Sequence, residues 1–180
     1  ILIRNNINSD QKIISFEEID RESFLIKDIL EEKYEKKINK SLKRNMPACI
    51  IYTSGTTGNP KGVVYSHRST VLHSLVGSLP DAMNLSGSDV IMPIVPMFHV
   101  NAWGTSYSAP LVGAKLVFPG PKMADGETLT KLINTEKVNY SLGVPTVWLA
   151  LVEYLNASGN SVDSLKSVVV GGAACPLSLM

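Results

Sequence analysis

The residue types that can bind a phosphate are concentrated in one stretch, residues 52–62, which reads YTSGTTGNPKG. Its hydroxyl groups and its lysine can donate hydrogen bonds to an anion, and its glycines permit positive φ angles and a close approach of the backbone to a ligand. Residues 48–52 are apolar and predict a strand, so successive backbone N–H groups can turn outward at the strand end and surround an anion. The pattern predicts a phosphate-binding loop.

Two alternatives for this loop are disfavoured by its neighbours. A Walker A loop has a glycine before its lysine and Ser or Thr directly after it. Here Pro60 precedes Lys61 and Gly62 follows it, so a P-loop phosphotransferase conflicts with the order of the residues. A flexible Ser/Thr/Gly linker is not usually enclosed between apolar runs such as 48–52 and 63–65, which we expect to be buried strands.

A second group of functional residue types lies in residues 96–104, which read PMFHVNAWG. Taken alone, His99 is more often a buried histidine with a hydrogen-bond partner than a ligand, and Trp103 is often an ordinary core tryptophan. The crowding of an imidazole, an amide and an indole beside Phe98 favours a pocket wall instead. His67 and His73, by contrast, are expected to be surface or capping residues rather than catalysts.

A third group follows the continuous apolar run 165–170, which is typical of a parallel strand covered on both faces. Gly171, Gly172 and Ala173 come directly after it. Ligands in open α/β sheets bind outside the carboxyl ends of the strands, and paired glycines let a flat ring or an acyl chain approach the backbone. A tight strand-to-helix turn is the structural alternative.

The elements that must position these groups alternate between strand and helix. Ser66 can cap a helix over residues 67–79, whose apolar positions recur at helical spacing and predict a buried face. Pro93 and Pro96 place the next strand at a sheet edge or at a strand end. Further strands are predicted at 89–95, 116–118, 138–143 and 165–170, and further helices before Gly113, over 127–136, and from Pro145 to Gly159. This alternation predicts an α/β fold with a parallel sheet built from βαβ units.

Composition excludes several classes of function. The net charge of +1 over 180 residues gives no electrostatic basis for nucleic-acid binding. The sequence contains no apolar stretch long enough to span a membrane and nothing that resembles a signal peptide, so we expect a cytoplasmic protein. Cys49 and Cys175 are expected to be buried reduced thiols rather than a disulfide or metal pair.

Residues 52–62, continued by VVYSHR at 63–68, resemble the signature phosphate loop of the adenylate-forming superfamily, which includes acyl-CoA synthetases, luciferases and peptide-synthetase adenylation domains. Residues 96–104 resemble the second signature of that superfamily. The order Val-Asn-Ala-Trp after His99 narrows the resemblance to medium- and long-chain fatty acyl-CoA ligases.

The resemblance implies an AMP-forming fatty acid–CoA ligase that uses ATP, Mg²⁺ and CoA. It implies that His99 is catalytic and, with Trp103 as a gate, borders the acyl pocket. It also implies that Thr53 holds Mg²⁺. The phosphate contacts implied are those of Thr53, Ser54, Gly55, Thr56, Thr57, Gly58 and Lys61, and the adenylate is implied to rest on Gly171, Gly172 and Ala173.

The resemblance also implies a domain organisation. The fold class is the parallel-sheet βαβ portion of the large N-terminal adenylate-forming domain, with residues 47–180 as its motif-bearing part and 1–46 as a lead-in. The family's Tyr-Gly-x-Thr-Glu segment, its ribose-binding aspartate and its C-terminal domain with a catalytic lysine are absent from the 180 residues. We therefore expect a fragment that is inactive alone. Residues 43–46 depart from the family, in which acidic residues often precede the strand.

Other functions stay open at this point. The acid could be a short thioether, aryl or branched acid instead of a fatty acid. A nucleotide-binding module without turnover and a domain that passes its acyl group to a carrier protein are the alternatives of a different class. The expected partners are the small-molecule substrates, without nucleic acid, whereas peripheral membrane contact and the oligomeric state are left open.

Overall fold

The computed structural model describes residues 13–15, 23–25, 42–53 and 59–179. The chain divides into two compact units, Ile1–Leu42 and Lys43–Met180. In the first unit, strands β1 (Ile13–Ser15) and β2 (Ser23–Leu25) pair in parallel.

The second unit begins with an antiparallel hairpin of strands β3 (Pro47–Thr53) and β4 (Lys61–Ser66). The predicted strand at 48–52 is therefore confirmed. The strand expected at 63–65 is present as well, and the loop joins the two antiparallel strands. The expectation that these strands are buried is wrong, because Tyr52 is 67% exposed and Val64 is 58% exposed.

Helix α1 (His67–Gly77) follows β4 directly, as predicted, and ends two residues earlier than expected. Ser66 caps it: the Ser66 hydroxyl accepts the Ser69 N–H at 3.1 Å, and the Ser69 hydroxyl accepts the Ser66 N–H at 2.9 Å. The predicted buried face is wrong. The apolar side chains of α1 are about half exposed, whereas the buried residues are Thr70 and Ser74, whose hydroxyls donate to carbonyls of the preceding turn.

A four-stranded parallel sheet forms the centre of the second unit. Its strands are β5 (Val90–Pro93), β6 (Lys115–Leu116), β7 (Tyr140–Gly143) and β8 (Ser167–Val170), in the order β6-β5-β7-β8. Helices α2 (Val100–Trp103), α3 (Thr105–Val112), α4 (Gly126–Glu136) and α5 (Pro145–Ser158) connect them, with 3-10 turns at Gly120–Lys122 and Leu177–Leu179. The predicted α/β fold with a parallel sheet is confirmed.

Helices cover both faces of this sheet. Successive residues of a strand point to opposite faces, so the neighbours Ile91 and Met92 belong to different core clusters. Met92 packs with residues of α4 and α5, including Ile133 and Leu151. Ile91 packs with Leu142 of β7 and with α3, through residues that include Ala109. The sheet is therefore the middle layer of three.

The strand order confirms one prediction about position in the sheet and corrects another. Pro93 was predicted at a sheet edge or at a strand end, and it is the last residue of β5, where its missing N–H interrupts little of the ladder. Strand β5 itself lies between β6 and β7. Strand β8 is the last of the described strands in the order, and Val168 is 49% exposed, so the predicted coverage of both faces is not present around it.

A polar network fixes the amino ends of β5 and β7. Asn139 Nδ2 donates to Asp89 Oδ1 at 2.8 Å, and the Val90 N–H donates to Asn139 Oδ1 at 2.7 Å. The Ser86 N–H donates to Asp89 Oδ2 at 2.6 Å. Burial raises the pKa of the Asp89 carboxyl, but these hydrogen bonds and the nearby Lys166 outweigh burial and hold the pKa below its ordinary value.

Candidate functional site

The carboxyl ends of the parallel strands β5, β7 and β8 lie level with one another at one end of the sheet. Pro93 of β5 pairs in register with Leu142 of β7, and Gly143 of β7 pairs with Val170 of β8. Beyond the strands, the Gly171 N–H still donates to the Gly143 carbonyl at 3.1 Å. The segments that carry His99 and Gly171 therefore both leave the sheet at the carboxyl ends of its strands. This is where an α/β sheet places its ligand site.

The His99 segment makes a tight turn into α2. The His99 N–H donates to the Pro96 carbonyl at 2.8 Å, and the His99 carbonyl accepts the Ala102 N–H at 2.9 Å. His99 is half-buried, whereas Phe98 beside it is 78% exposed. Helix α2 packs against β7. Trp103 is the last residue of α2, and its side chain lies outside the described residues.

The segment after β8 presents its backbone outward. Gly172 has a φ of 83°, in the left-handed region that favours glycine. Gly172 and Ala173 are exposed, and Gly171 is half-buried. A backbone without bulky side chains at the carboxyl end of a strand is open to the close approach of a flat ring or a chain.

The ends of the predicted phosphate loop are held by strand pairing. Thr53, the last residue of β3, pairs in register with Lys61, the first residue of β4, and Lys61 is exposed. A side chain at Gly62 would crowd the hairpin, because its Cβ would lie 3.1 Å from Ile50 Cγ2. The Thr53 side chain is outside the described residues, as are Ser54, Gly55, Thr56, Thr57 and Gly58.

A cavity of about 170 Å³ lies inside the second unit. Its wall is formed by residues of α1, α2, α3, β7 and β8 and of the segment before β5: His73, Gly77, Met83, Val100, Gly104, Thr105, Ser108, Leu142 and Val169. Val100 is the neighbour of His99, and Val169 lies two residues before Gly171. The cavity therefore adjoins both segments that leave the sheet edge.

The cavity lining is mainly apolar in character. The Thr105 hydroxyl donates to the Ala102 carbonyl at 2.6 Å, and the Ser108 hydroxyl donates to the Gly104 carbonyl at 3.0 Å. Both hydroxyls are thus occupied by their own helical segment, and His73 carries the third polar side chain of the lining. Such a lining suits an apolar ligand with few polar groups.

Sequence reasoning missed most of this cavity. His73 is exposed in part, as expected of a surface residue, but it also lines the cavity. Gly77 and Ser108 were not identified. The available signal was the spacing of four residues in the pairs 73/77 and 104/108, which places each pair on one face of a helix.

Three further expectations concern metals, thiols and membranes. Within the described residues, no group of three or more His, Cys, Asp or Glu side chains could hold a metal ion. Cys49 and Cys175 are both free, as predicted, but each is only half-buried. None of the helices in the described ranges combines the length and the apolar character needed to cross a bilayer.

A family model and two curated relatives match this chain and point to the same kind of enzyme. The model of the AMP-binding enzyme family matches residues 3–180. The medium-chain-fatty-acid–CoA ligase of Ectopseudomonas oleovorans is 60% identical over 136 residues, which cover 76% of this chain and 25% of that protein. The long-chain-fatty-acid–CoA ligase of Thermus thermophilus is 57% identical over 134 residues, which cover 74% of this chain and 25% of that protein. The chain thus spans about a quarter of the length of these relatives.

A solved structure gives the same fold. The inhibitor-bound N-terminal domain of FACL13 from Mycobacterium tuberculosis superposes with a TM-score of 0.68 at 28% sequence identity. The match covers 81% of this chain and 35% of that one.

Proposed function

We propose, from the premise that the chain belongs to the AMP-binding enzyme family, that the full-length protein is an AMP-forming acyl-CoA ligase for a medium- or long-chain fatty acid. The observation that carries this proposal is the 57–60% identity of the aligned residues with two fatty-acid–CoA ligases, which exceeds the 51–53% identity with two 3-methylmercaptopropionyl-CoA ligases. The apolar cavity beside His99 supports it, because an acyl chain needs an apolar site.

The reaction has two steps. An oxygen of the fatty acid carboxylate attacks the α-phosphorus of ATP, which forms an acyl adenylate and releases pyrophosphate. The sulfur of CoA then attacks the acyl carbonyl and displaces AMP, while the thiol proton leaves to solvent. The first step brings a negatively charged carboxylate to a polyanion, so the site must supply hydrogen-bond donors, positive charge and a fixed direction of attack.

The hairpin loop is proposed to hold the leaving β- and γ-phosphates. Lys61 supplies positive charge at one end of the loop, opposite Thr53 at the other. The remaining contacts are assigned to Ser54, Gly55, Thr56, Thr57 and Gly58. These residues offer hydroxyls and backbone N–H groups, the donors from which phosphate sites are built.

Mg²⁺ is proposed to bind together with the nucleotide. The threonine hydroxyl of Thr53 is a hard oxygen donor of the kind that Mg²⁺ accepts, so the residue type fits the ion. Mg²⁺ commonly keeps several waters and binds through one or two protein oxygens together with substrate phosphates. When bound, Mg²⁺ neutralises charge that develops on the leaving pyrophosphate.

The acyl chain and the adenylate are proposed to bind at the carboxyl ends of the parallel strands. His99 and Trp103 are proposed to border the acyl chain near the carboxylate, with His99 as the catalytic residue. Gly171, Gly172 and Ala173 are proposed to support the adenylate, since the exposed Gly172 and Ala173 leave the backbone accessible. Both assignments use segments that follow parallel strands, β5 and β8, which lie on either side of β7.

The proposal extends to the whole protein. Residues 47–180 form the motif-bearing part of a larger adenylation domain, preceded by a lead-in at 1–46. The second metal ligand, the ribose-binding aspartate and the catalytic lysine of a C-terminal domain lie elsewhere in the full-length protein. The 180 residues alone are then inactive. A cytoplasmic location is part of the proposal, because the reaction needs a compartment that supplies both ATP and CoA.

The test is carboxylate-dependent exchange between ATP and pyrophosphate by the full-length protein. The acids should run from butyrate to palmitate and include thioether, aryl and branched acids. We expect exchange that peaks with medium- or long-chain acids and thioester formation once CoA is added. Nucleotide binding without exchange for any acid would overturn the proposal in favour of a binding module, and exchange without a CoA product would indicate transfer to a carrier protein.

A further inference from the structure

Gly77 faces open space in the cavity described above. It is the last residue of α1 and lies one helical turn after His73, so both residues present the same face of the helix. A Cβ added at Gly77 would meet no atom within 4 Å in the part of the chain that the structure describes. The φ of Gly77 is not positive, so the backbone accepts any L residue there. The absence of a side chain at Gly77 therefore leaves empty space in the cavity and is not required by the backbone conformation.

His73 fixes the distance between α1 and the opposite wall. A Cβ at Gly104 would lie 2.9 Å from His73 Cε1, which is closer than real Cβ contacts allow. The His73 ring thus rests directly against the start of α3. Since α1 and α3 are in contact, the cavity that Gly77 lines lies beside two helices packed against each other.

The cavity is large enough to hold a short hydrocarbon chain. An engineered apolar cavity of about 150 Å³ holds a benzene ring, and this cavity has about 170 Å³. Its lining includes Val100, the residue after His99, as well as Gly77 and Met83. A chain that passes His99 can therefore place roughly six carbons in this space.

We propose that Gly77 is a specificity-determining residue that sets the length of acyl chain the enzyme accepts, because its missing side chain leaves room for the chain end. This inference rests on the proposed function. It assigns a role to the carboxyl end of helix α1, which carries none of the candidate site residues. Met83 also lines the cavity, so replacing it with a smaller residue enlarges the cavity.

The test compares acid-dependent exchange by the full-length wild type, Gly77→Ala and Met83→Ala over straight-chain acids from butyrate to palmitate. Gly77→Ala adds one methyl group and favours the helix, so it is a mild change. We expect the ratio of kcat/KM for the longest accepted acid to that for butyrate to fall about tenfold or more in Gly77→Ala, as one methylene in an apolar pocket commonly costs. In Met83→Ala the ratio should rise.

Val76→Leu is the matched control, since Val76 precedes Gly77, is 58% exposed and does not line the cavity. Its profile over the acids should equal that of the wild type. If Gly77→Ala loses activity equally with all acids, or if both cavity variants keep the wild-type ratio, the inference is overturned while the proposed function stands. If the wild type shows no exchange with any acid, both are overturned.

Discussion

Thr53 and Lys61 are cross-strand partners at the loop end of the β3–β4 hairpin. In an antiparallel pair the Cβ atoms of such partners lie about 4.5–5.5 Å apart. The hairpin therefore brings the first and last of the predicted phosphate-contacting residues next to each other, although the loop separates them in the sequence. The strand register sets this pairing.

The pairing makes Lys61 the first position to change. Lys61→Ala in the full-length protein should reduce adenylate formation about 10- to 150-fold, because a hydrogen bond to a charged group is worth roughly 1.5–3 kcal/mol. Lys131→Ala, which removes an exposed lysine from α4, should leave pyrophosphate exchange unchanged. Exchange rates that are equal in Lys61→Ala and the wild type would contradict the assignment of the loop.

Trp103→Ala tests the proposed gate. If Trp103 lines the acyl tunnel, its truncation should change the preference among acids of different length more than it changes the KM for ATP. The measurement is kcat/KM for each acid at saturating ATP, together with the KM for ATP at one acid. A large rise in the KM for ATP with an unaltered acid profile would instead place Trp103 in the structural core.

Asp89→Ala should destabilise the protein by about 1–3 kcal/mol at neutral pH, because Asn139 and Ser86 lose a charged acceptor. The pKa of Asp89 is lowered on folding from its ordinary value of 3.8. Its contribution is thus fully present above that value and is lost as the pH falls through the lowered pKa. The difference in Tm between wild type and Asp89→Ala should shrink toward zero in strong acid. Asp163→Ala, at an exposed carboxylate, should show little difference at any pH.

Substitutions at Trp148 distinguish the contribution of ring packing to stability from that of the indole N–H. Trp148 is 4% exposed, and its Nε1–H has no acceptor among the described residues. Trp148→Ala should cost about 3–5 kcal/mol through the cavity it creates, whereas Trp148→Phe should cost less than about 1.5 kcal/mol because it keeps most of the volume. Urea unfolding measures both. Equal costs would mean that the indole N–H has an acceptor elsewhere in the full-length protein.

Local features of this chain could be predicted from the sequence because their causes lie within a few residues. The Ser66 and Ser69 capping box begins α1 as expected, and Gly113 ends α3 with a φ of 83°. The parallel sheet followed from the alternation of elements. The shared position of the His99 and Gly171 segments followed from the rule that parallel strands end at one edge.

The exposed and buried faces could not be predicted in the same way. Val71 and Leu75 have the helical spacing of a buried face, yet they are about half exposed, and Thr70 and Ser74 are buried instead. Spacing identifies an apolar face, but only the neighbouring elements determine which face is covered. Gly77 was missed for a related reason, since a glycine in a sequence does not reveal whether open space lies beside it.

The sequence by itself thus determined the family, the type of most elements and a candidate phosphate-binding segment, since these depend on residue type and short-range spacing. The tertiary structure decided the pairing of Thr53 with Lys61, the strand order β6-β5-β7-β8 and the cavity between α1 and α3. Those features depend on contacts between residues far apart in the chain, whose energies are settled only when the helices and the sheet pack together.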